Sequence, residues 1–156
     1  METPVFQLAG NAFMARYGAG EAKCIRESPA EAMTTRLQYF STVLFGGELF
    51  FGIELGDRIV ALACCLDNLE PDALTLSYLS VDPEYKNRKL ATRLVTAIRD
   101  FVKDNGLVAL DVSGYSAWGQ LYLQHLLRRE CVNIELRECG KVVHSAQPSE
   151  CGVLTV

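Results

Sequence analysis

The run Val81-Asp82-Pro83-Glu84-Tyr85-Lys86-Asn87-Arg88-Lys89-Leu90-Ala91-Thr92 decides how the chain is read. The residues before it, Ala73 to Val81, alternate leucines with Thr, Ser and Tyr and read as a strand. Pro83 lacks an N–H and cannot continue a hydrogen-bond ladder, so the strand stops there. After it, Leu90, Leu94, Ile98 and Phe101, with Ala97 and Val102 beside them, recur at helical spacing. The spacing predicts a helix from about Asn87 to Asp104, closed by Asn105-Gly106. A helix N-terminus presents unpaired N–H groups and a partial positive charge. Lys86, Arg88, Lys89 and Arg93 crowd that end, where the dipole prefers acids. An anion such as a diphosphate on the N–H groups removes the conflict. The charges alone leave a second reading open, a solvated basic turn with no ligand.

Working outward, Glu48 to Leu55 and Arg58 to Leu66 read as strands. Gly56-Asp57 between them suits a type II′ hairpin. Further upstream, Ser28, Pro29 and Glu31 form a capping box with proline at the first helical position. Met33, Leu37, Phe40 and Leu44 continue it as an apolar stripe, and Gly46-Gly47 ends it. In the first 27 residues, Val5 to Leu8 and Ala22 to Arg26 read as short strands around a loop marked by Gly18 and Gly20. Downstream, Leu107 to Val112 is nearly all apolar, as in a strand buried on both faces. A helix over about Ser116 to Arg129 follows, then a hairpin within Val132 to Gln147 turning at Cys139-Gly140. Strands in series predict antiparallel pairing, and the crossover from Leu74 to Val112 predicts a right-handed parallel pair. The expectation is one α/β domain over residues 1–156. Its mixed, mostly antiparallel sheet carries flanking helices, and its strand–loop–helix core spans Leu74 to Gly106.

The bulk composition narrows the function classes. The chain has 156 residues, 49% hydrophobic and 22% charged, a globular balance with room for one core. The formal net charge of −4 argues against a nucleic-acid partner. No apolar run is long enough to span a membrane, and the first residues lack the pattern of a signal peptide. The expected location is cytoplasmic, with reduced cysteines. Those at 24, 64, 65, 131, 139 and 151 show no C-x-x-C spacing, and His125 and His144 join no cluster, so no metal is expected. Neither a phosphate-binding Gly-x-x-x-x-Gly-Lys-Ser/Thr loop nor a dinucleotide fingerprint is present.

The run from Val81 resembles motif A of the GNAT superfamily of N-acetyltransferases. That pattern is a hydrophobic strand, Val-x-Pro, then Gln/Arg-x-x-Gly-x-Gly/Ala opening a helix. Val81-Asp82-Pro83 matches, as do Arg88, Leu90, Ala91 and Leu94. Lys86 stands where Gln or Arg is usual, and Lys89 where the first glycine is usual. The resemblance implies the acyl-CoA N-acyltransferase fold and direct transfer of an acetyl group from acetyl-CoA to an amine, without metal. It implies that Leu79, Ser80 and Val81 meet the pantetheine arm through their backbone. Lys86, Asn87, Arg88, Lys89, Leu90, Ala91 and Thr92 would then meet the pyrophosphate. Leu121-Tyr122 fits the end of the family's Asn-x-x-Ala-x-x-Leu-Tyr pattern, which makes Tyr122 the general acid for the departing thiolate. Tyr115 and Trp118 replace its asparagine and alanine, and Tyr115 is a weaker substitute donor. Family bases are often carboxylates on the strand before motif A, but Ala73 to Leu79 holds none. Thr75, Ser77 and Tyr78 offer only relay through water, and Asp67, Glu70 and Asp72 lie at the strand's entrance, so the base is unassigned. The acceptor would be a small-molecule or peptide amine, and a homodimer stays open. The competing reading is a module of the same fold that binds CoA or a protein partner without turnover.

Overall fold

The computed structural model describes residues 4–17, 47–56, 58–85, 88–115 and 119–146. The elements in chain order are β1 (Phe6–Ala9), α1 (Gly10–Tyr17), β2 (Glu48–Leu55), β3 (Arg58–Glu70), β4 (Ala73–Val81) and a 3₁₀ turn (Pro83–Tyr85). Then come α2 (Leu90–Asp104), β5 (Ala109–Val112), a π turn (Gly119–Leu123), α3 (Gln124–Glu130), β6 (Glu135–Glu138) and β7 (Lys141–His144). The strands form one seven-stranded sheet in sequence order. Pairing is antiparallel except at β4–β5 and β5–β6, which are parallel. The architecture is therefore the mixed, mostly antiparallel α/β sheet that the sequence predicts. No helix among the described residues is long and apolar enough to cross a membrane.

Side-chain alternation along β2 explains both faces of the sheet. Leu49, Phe51 and Ile53 point into the core beneath α2. Phe50 points the other way and stacks on Phe13 of α1, with ring centroids 4.0 Å apart. Gly52 faces Phe6 across the β1–β2 pair. The Phe6 ring lies where a Cβ on Gly52 would come within 2.3 Å of it, so any side chain there would have to displace that ring. α2 buries Leu90, Leu94, Val95, Ile98 and Val102 in one stripe. Each is worth about 1.5–3 kcal/mol of burial at most. Phe101, at the stripe's edge, meets the Phe51 ring edge-on at 6.0 Å.

The C-terminus of α2 is closed by its own sequence. The Asn105 N–H and side-chain amide both donate to the Phe101 carbonyl, at 3.0 and 2.9 Å. Gly106 takes φ +69, and its N–H reaches the Lys103 carbonyl at 3.3 Å. Farther on, the β3–β4 turn is tied to β6. Arg137 donates to both oxygens of Asp72, at 3.1 and 2.9 Å, and to Glu135. The guanidinium holds the Asp72 carboxyl below its usual range, through the hydrogen bond first.

Several boundaries differ from the sequence expectation. α2 begins at Leu90, not Asn87, because Lys89 adopts a left-handed conformation, φ 59, that interrupts the helix. β3 runs on past Leu66 to Glu70, and the strand read from Leu107 starts only at Ala109. The helix read over Ser116 to Arg129 opens as a π turn at Gly119 and becomes α-helical at Gln124. The first short strand is Phe6–Ala9, one residue later than read, and the helix α1 behind it was not read. The strand read at Ala22 to Arg26 and the helix read from Ser28 lie outside the described residues.

Candidate functional site

The site begins where β4 parts from β5. The two strands pair over Ala73–Leu76 and Ala109–Val112. One further bond runs from the Ser113 N–H to the Leu76 carbonyl, at 3.2 Å. From Ser77 onward, no described residue pairs with β4 on that side. On the other side, β4 stays paired with β3, with Leu79 against Ala63, Ser80 against Leu62 and Val81 against Ala61. The register skips Ser77, which bulges between the Leu76–Cys65 and Tyr78–Cys64 pairs. Its hydroxyl donates to the Cys64 carbonyl at 3.0 Å. A bulge bends a strand and increases its twist, which accounts for the divergence from β5 at that point. Leu79, Ser80 and Val81 thus lie on a stretch of strand with one backbone edge left for another partner.

Asp82 and Lys89 shape the passage from β4 to α2. Asp82 is 0% exposed. Its carboxylate accepts the Glu84 N–H at 3.0 Å, and its carbonyl accepts the Tyr85 N–H at 2.8 Å, which winds the 3₁₀ turn. Arg88 lies over the Tyr85 ring, 5.0 Å from its centroid. Lys86 and Asn87 lie outside the described residues. Lys89 is the N-cap of α2, and no side chain caps the helix there. No acid stands in the first turn either. Among the described residues no side chain caps the N–H groups at the start, on Leu90, Ala91 and Thr92, which a helix leaves without intrahelical partners. Lys89 also explains its departure from the motif. The glycine position is one of positive φ, and here a lysine bears that conformation at a cost of about 1–2 kcal/mol.

Across from this end, the π turn and α3 complete an open cleft of about 750 Å³. Val81, Lys89, Leu90, Ala91 and Thr92 line one wall, and Tyr122, His125 and Arg129 line the other. Tyr122 is 60% exposed, so its phenol is accessible from the cleft. Sequence reading thus names residues on both walls, although it does not foresee His125 and Arg129. These follow Tyr122 at three and seven residues, a helical spacing that is legible once Tyr122 is placed.

Tyr115 sits elsewhere. Its hydroxyl donates to Glu138 at 3.0 Å. Glu138 also accepts from Gln124 at 3.1 Å and from Arg128 at 3.0 and 3.3 Å. Burial raises the Tyr115 pKa, and the adjacent Glu138 raises it further. For Glu138, burial opposes ionisation, but the bonds from Arg128, Tyr115 and Gln124 outweigh it and hold the carboxyl below its usual range. Tyr115 thus anchors the chain leaving β5 to β6, and its proton is committed to Glu138. No group of three or more His, Cys, Asp or Glu among the described residues is placed to hold a metal ion.

Comparison with known proteins bears on the fold and the family. The acetyltransferase (GNAT) family matches residues 17–119, well over half of the chain. No curated protein matches. An aminoglycoside acetyltransferase from an uncultured soil metagenomic sample is 20% identical, with a TM-score of 0.59, over 96% of this chain and 100% of its own. The ribosomal-protein-S18-alanine N-acetyltransferase from Escherichia coli is 21% identical, with a TM-score of 0.53, over 81% of this chain and 76% of its own. An aminoglycoside N-acetyltransferase solved in complex with CoA is 12% identical, with a TM-score of 0.51, over 78% of this chain and 88% of its own. At such identities the solved structures speak for the fold, and the family match speaks for the sequence. The chain belongs to the GNAT family of acetyltransferases.

Proposed function

We propose that the protein is an N-acetyltransferase that moves an acetyl group from acetyl-CoA directly to an amine. The observation that carries this reading is the junction of β4 and α2. There, a strand edge that pairs with no described residue from Ser77 onward runs into a helix N-terminus that has neither a capping side chain nor an acid. Such an edge grips an extended, amide-bearing arm by strand addition. The helix N–H groups and the Lys89 ammonium receive the diphosphate. Acetyl-CoA supplies the activated thioester carbonyl. The protein's part is to align that carbonyl with the amine and to donate strand N–H groups to the developing oxyanion. Tyr122, exposed in the cleft, gives its proton to the departing sulfur.

The acceptor in this proposal is a small-molecule or peptide amine. Similar folds include enzymes described as acting on aminoglycosides and on the alanine of a ribosomal protein. One experiment tests the reading. Acetyl-CoA at millimolar concentration should raise the melting temperature, because it binds only the folded chain. A thiol reagent should detect CoA release when amines are added. Tyr122→Phe should lower kcat about a hundredfold and leave the thermal shift in place. No thermal shift would sink the donor assignment. A shift without CoA release from any amine would leave a CoA-binding module of the same fold.

A further inference from the structure

The wall of the cleft that carries Tyr122 is seated on the core by little apolar surface. Across the π turn and α3, the buried residues are Gly119, Leu123 and Leu127, with Leu126 partly buried beside them. Leu123 and Leu127 lie four residues apart, one above the other on the same side of the segment. Packing along a single line holds a helix down but leaves its rotation about that line to other contacts. A helix of seven residues is also too short to be stable by itself. At its far end, Arg99 of α2 donates to the Glu130 carbonyl at 3.1 Å. At its near end, the contacts that fix the rotation are polar.

These contacts converge on Glu138, whose backbone is itself well fixed. β6 pairs with β5 at Val112, the Cys139 N–H donates to the Val112 carbonyl at 2.8 Å, and the Gly140 N–H donates to Asp111 at 3.1 Å. Leu136 lies in the core beneath α2, and Glu138, two residues on, projects from the same face. Each of its oxygens takes two donors. Oε1 accepts from Gln124 Nε2 at 3.1 Å and from Arg128 Nη2 at 3.0 Å. Oε2 accepts from the Tyr115 hydroxyl at 3.0 Å and from Arg128 Nε at 3.3 Å. A carboxylate offers about four acceptor sites, so this one is full. Tyr115 precedes the π turn and Gln124 follows it, so one side chain of the sheet grips the chain on both sides of the turn that carries Tyr122. Gln124 and Arg128 are one helical turn apart. His125 and Arg129, each one residue on, are rotated from them by about 100° and line the cleft.

Resting on the reading of Tyr122 as proton donor, we infer that Glu138 is a positioning residue: by gripping Tyr115, Gln124 and Arg128 it sets the rotation of the π turn and α3, and with it the place of Tyr122 in the cleft. Glu138 touches no reacting atom and acts through the backbone it holds. Tyr122 is 60% exposed, so the course of that backbone largely decides where its phenol stands. A shift of about 1 Å at a reacting group costs up to about a hundredfold in rate, so a clamp of this kind shows in kcat.

The test uses the full chain, acetyl-CoA and three probe amines: sisomicin, a peptide with N-terminal alanine, and n-butylamine. Glu138→Gln keeps the shape, removes the charge and turns one acceptor into a donor. Amide hydrogen exchange over residues 119–130 should quicken about ten- to a hundredfold, the worth of one charge-assisted hydrogen bond. CoA release should show kcat lowered about ten- to a hundredfold. The acetyl-CoA Kd should stay within about threefold, since the start of α2 is untouched. In a Tyr122→Phe background, Glu138→Gln should lower kcat by no more than about twofold further, because the group it positions is gone. A purely structural role would cost the same factor in both backgrounds. Tyr115→Phe keeps the ring, removes one bond and should move exchange and kcat the same way by about threefold, which covers poor folding of Glu138→Gln. Glu135→Gln, the same change on the other face of β6 where Glu135 meets Arg137, should leave both within about twofold. Equal factors in the two Tyr122 backgrounds, or parental exchange over 119–130 in Glu138→Gln, overturns the inference. A parent that releases no CoA with any of the three amines sinks the acyl-transfer reading, and exchange then decides alone. Faster exchange in Glu138→Gln and Tyr115→Phe but not in Glu135→Gln upholds the clamp, and any other pattern overturns it.

Discussion

The two ends of α2 are built on opposite principles. At the C-terminus, Asn105 and Gly106 satisfy the last carbonyls, and the positive φ falls on a glycine. At the N-terminus, the positive φ falls on Lys89, no side chain caps the helix, and no acid complements its dipole. One end follows every local rule, and the other breaks three. A helix whose stripe is well buried tolerates such an end, since its stability comes from packing against the sheet. The difference teaches that the C-terminus serves the fold, whereas the N-terminus carries the features on which the proposed ligand role rests.

Substitutions can break or sharpen this contrast. The largest effect is expected from Lys89→Glu, which should weaken acetyl-CoA about ten- to a hundredfold, as loss of a charge-assisted phosphate contact does. Lys103→Glu, the same charge change in the last turn, should leave the acetyl-CoA Kd within about threefold. Calorimetry at one salt concentration compares them, and equal Kd values would erase the distinction between the ends. Next in size, Gly106→Ala forces a Cβ into φ +69 and should cost about 1–2 kcal/mol of stability in urea melts. Its acetyl-CoA Kd should not move. The smallest effect belongs to Lys89→Gly. Relief of left-handed strain is offset by the entropy of glycine, for a net stability change of about 1 kcal/mol or less. Loss of the ammonium is offset by closer backbone approach, so affinity should stay within about tenfold. A large loss in Lys89→Gly would mean that the lysine's charge, and not the backbone, holds the diphosphate.

The same contrast marks how far the sequence can be read. β2 and β4 are legible residue for residue, because Leu49, Phe51 and Ile53 alternate and Pro83 stops β4. The C-terminus of α2 is equally plain, since Asn-Gly says what it does. Its N-terminus is not, because a lysine carries no signal for positive φ, and the helix is placed three residues early. The Ser77 bulge is invisible for a related reason. Register belongs to the pairing with β3, not to β4 alone. The pairing of β4 with β5 is invisible along β4 for the same reason. Thr75 and Asp111 lie 36 positions apart in sequence and become neighbours only through the parallel register. Local chemistry is written along the chain, whereas a site assembled across strands is written in their alignment.

The short seam between β4 and β5 has a kinetic meaning as well. β2, β3 and β4 follow one another through tight turns, so pairing them closes small loops. Joining β4 to β5 means closing a loop that contains all of α2, for a parallel contact only four residues long. Loop-closure entropy rises with the length enclosed, and distant pairings are the slow ones. The meander should therefore assemble first and the seam should close late. The cleft, whose second wall follows β5 in the chain, should take shape only when the chain has nearly finished folding.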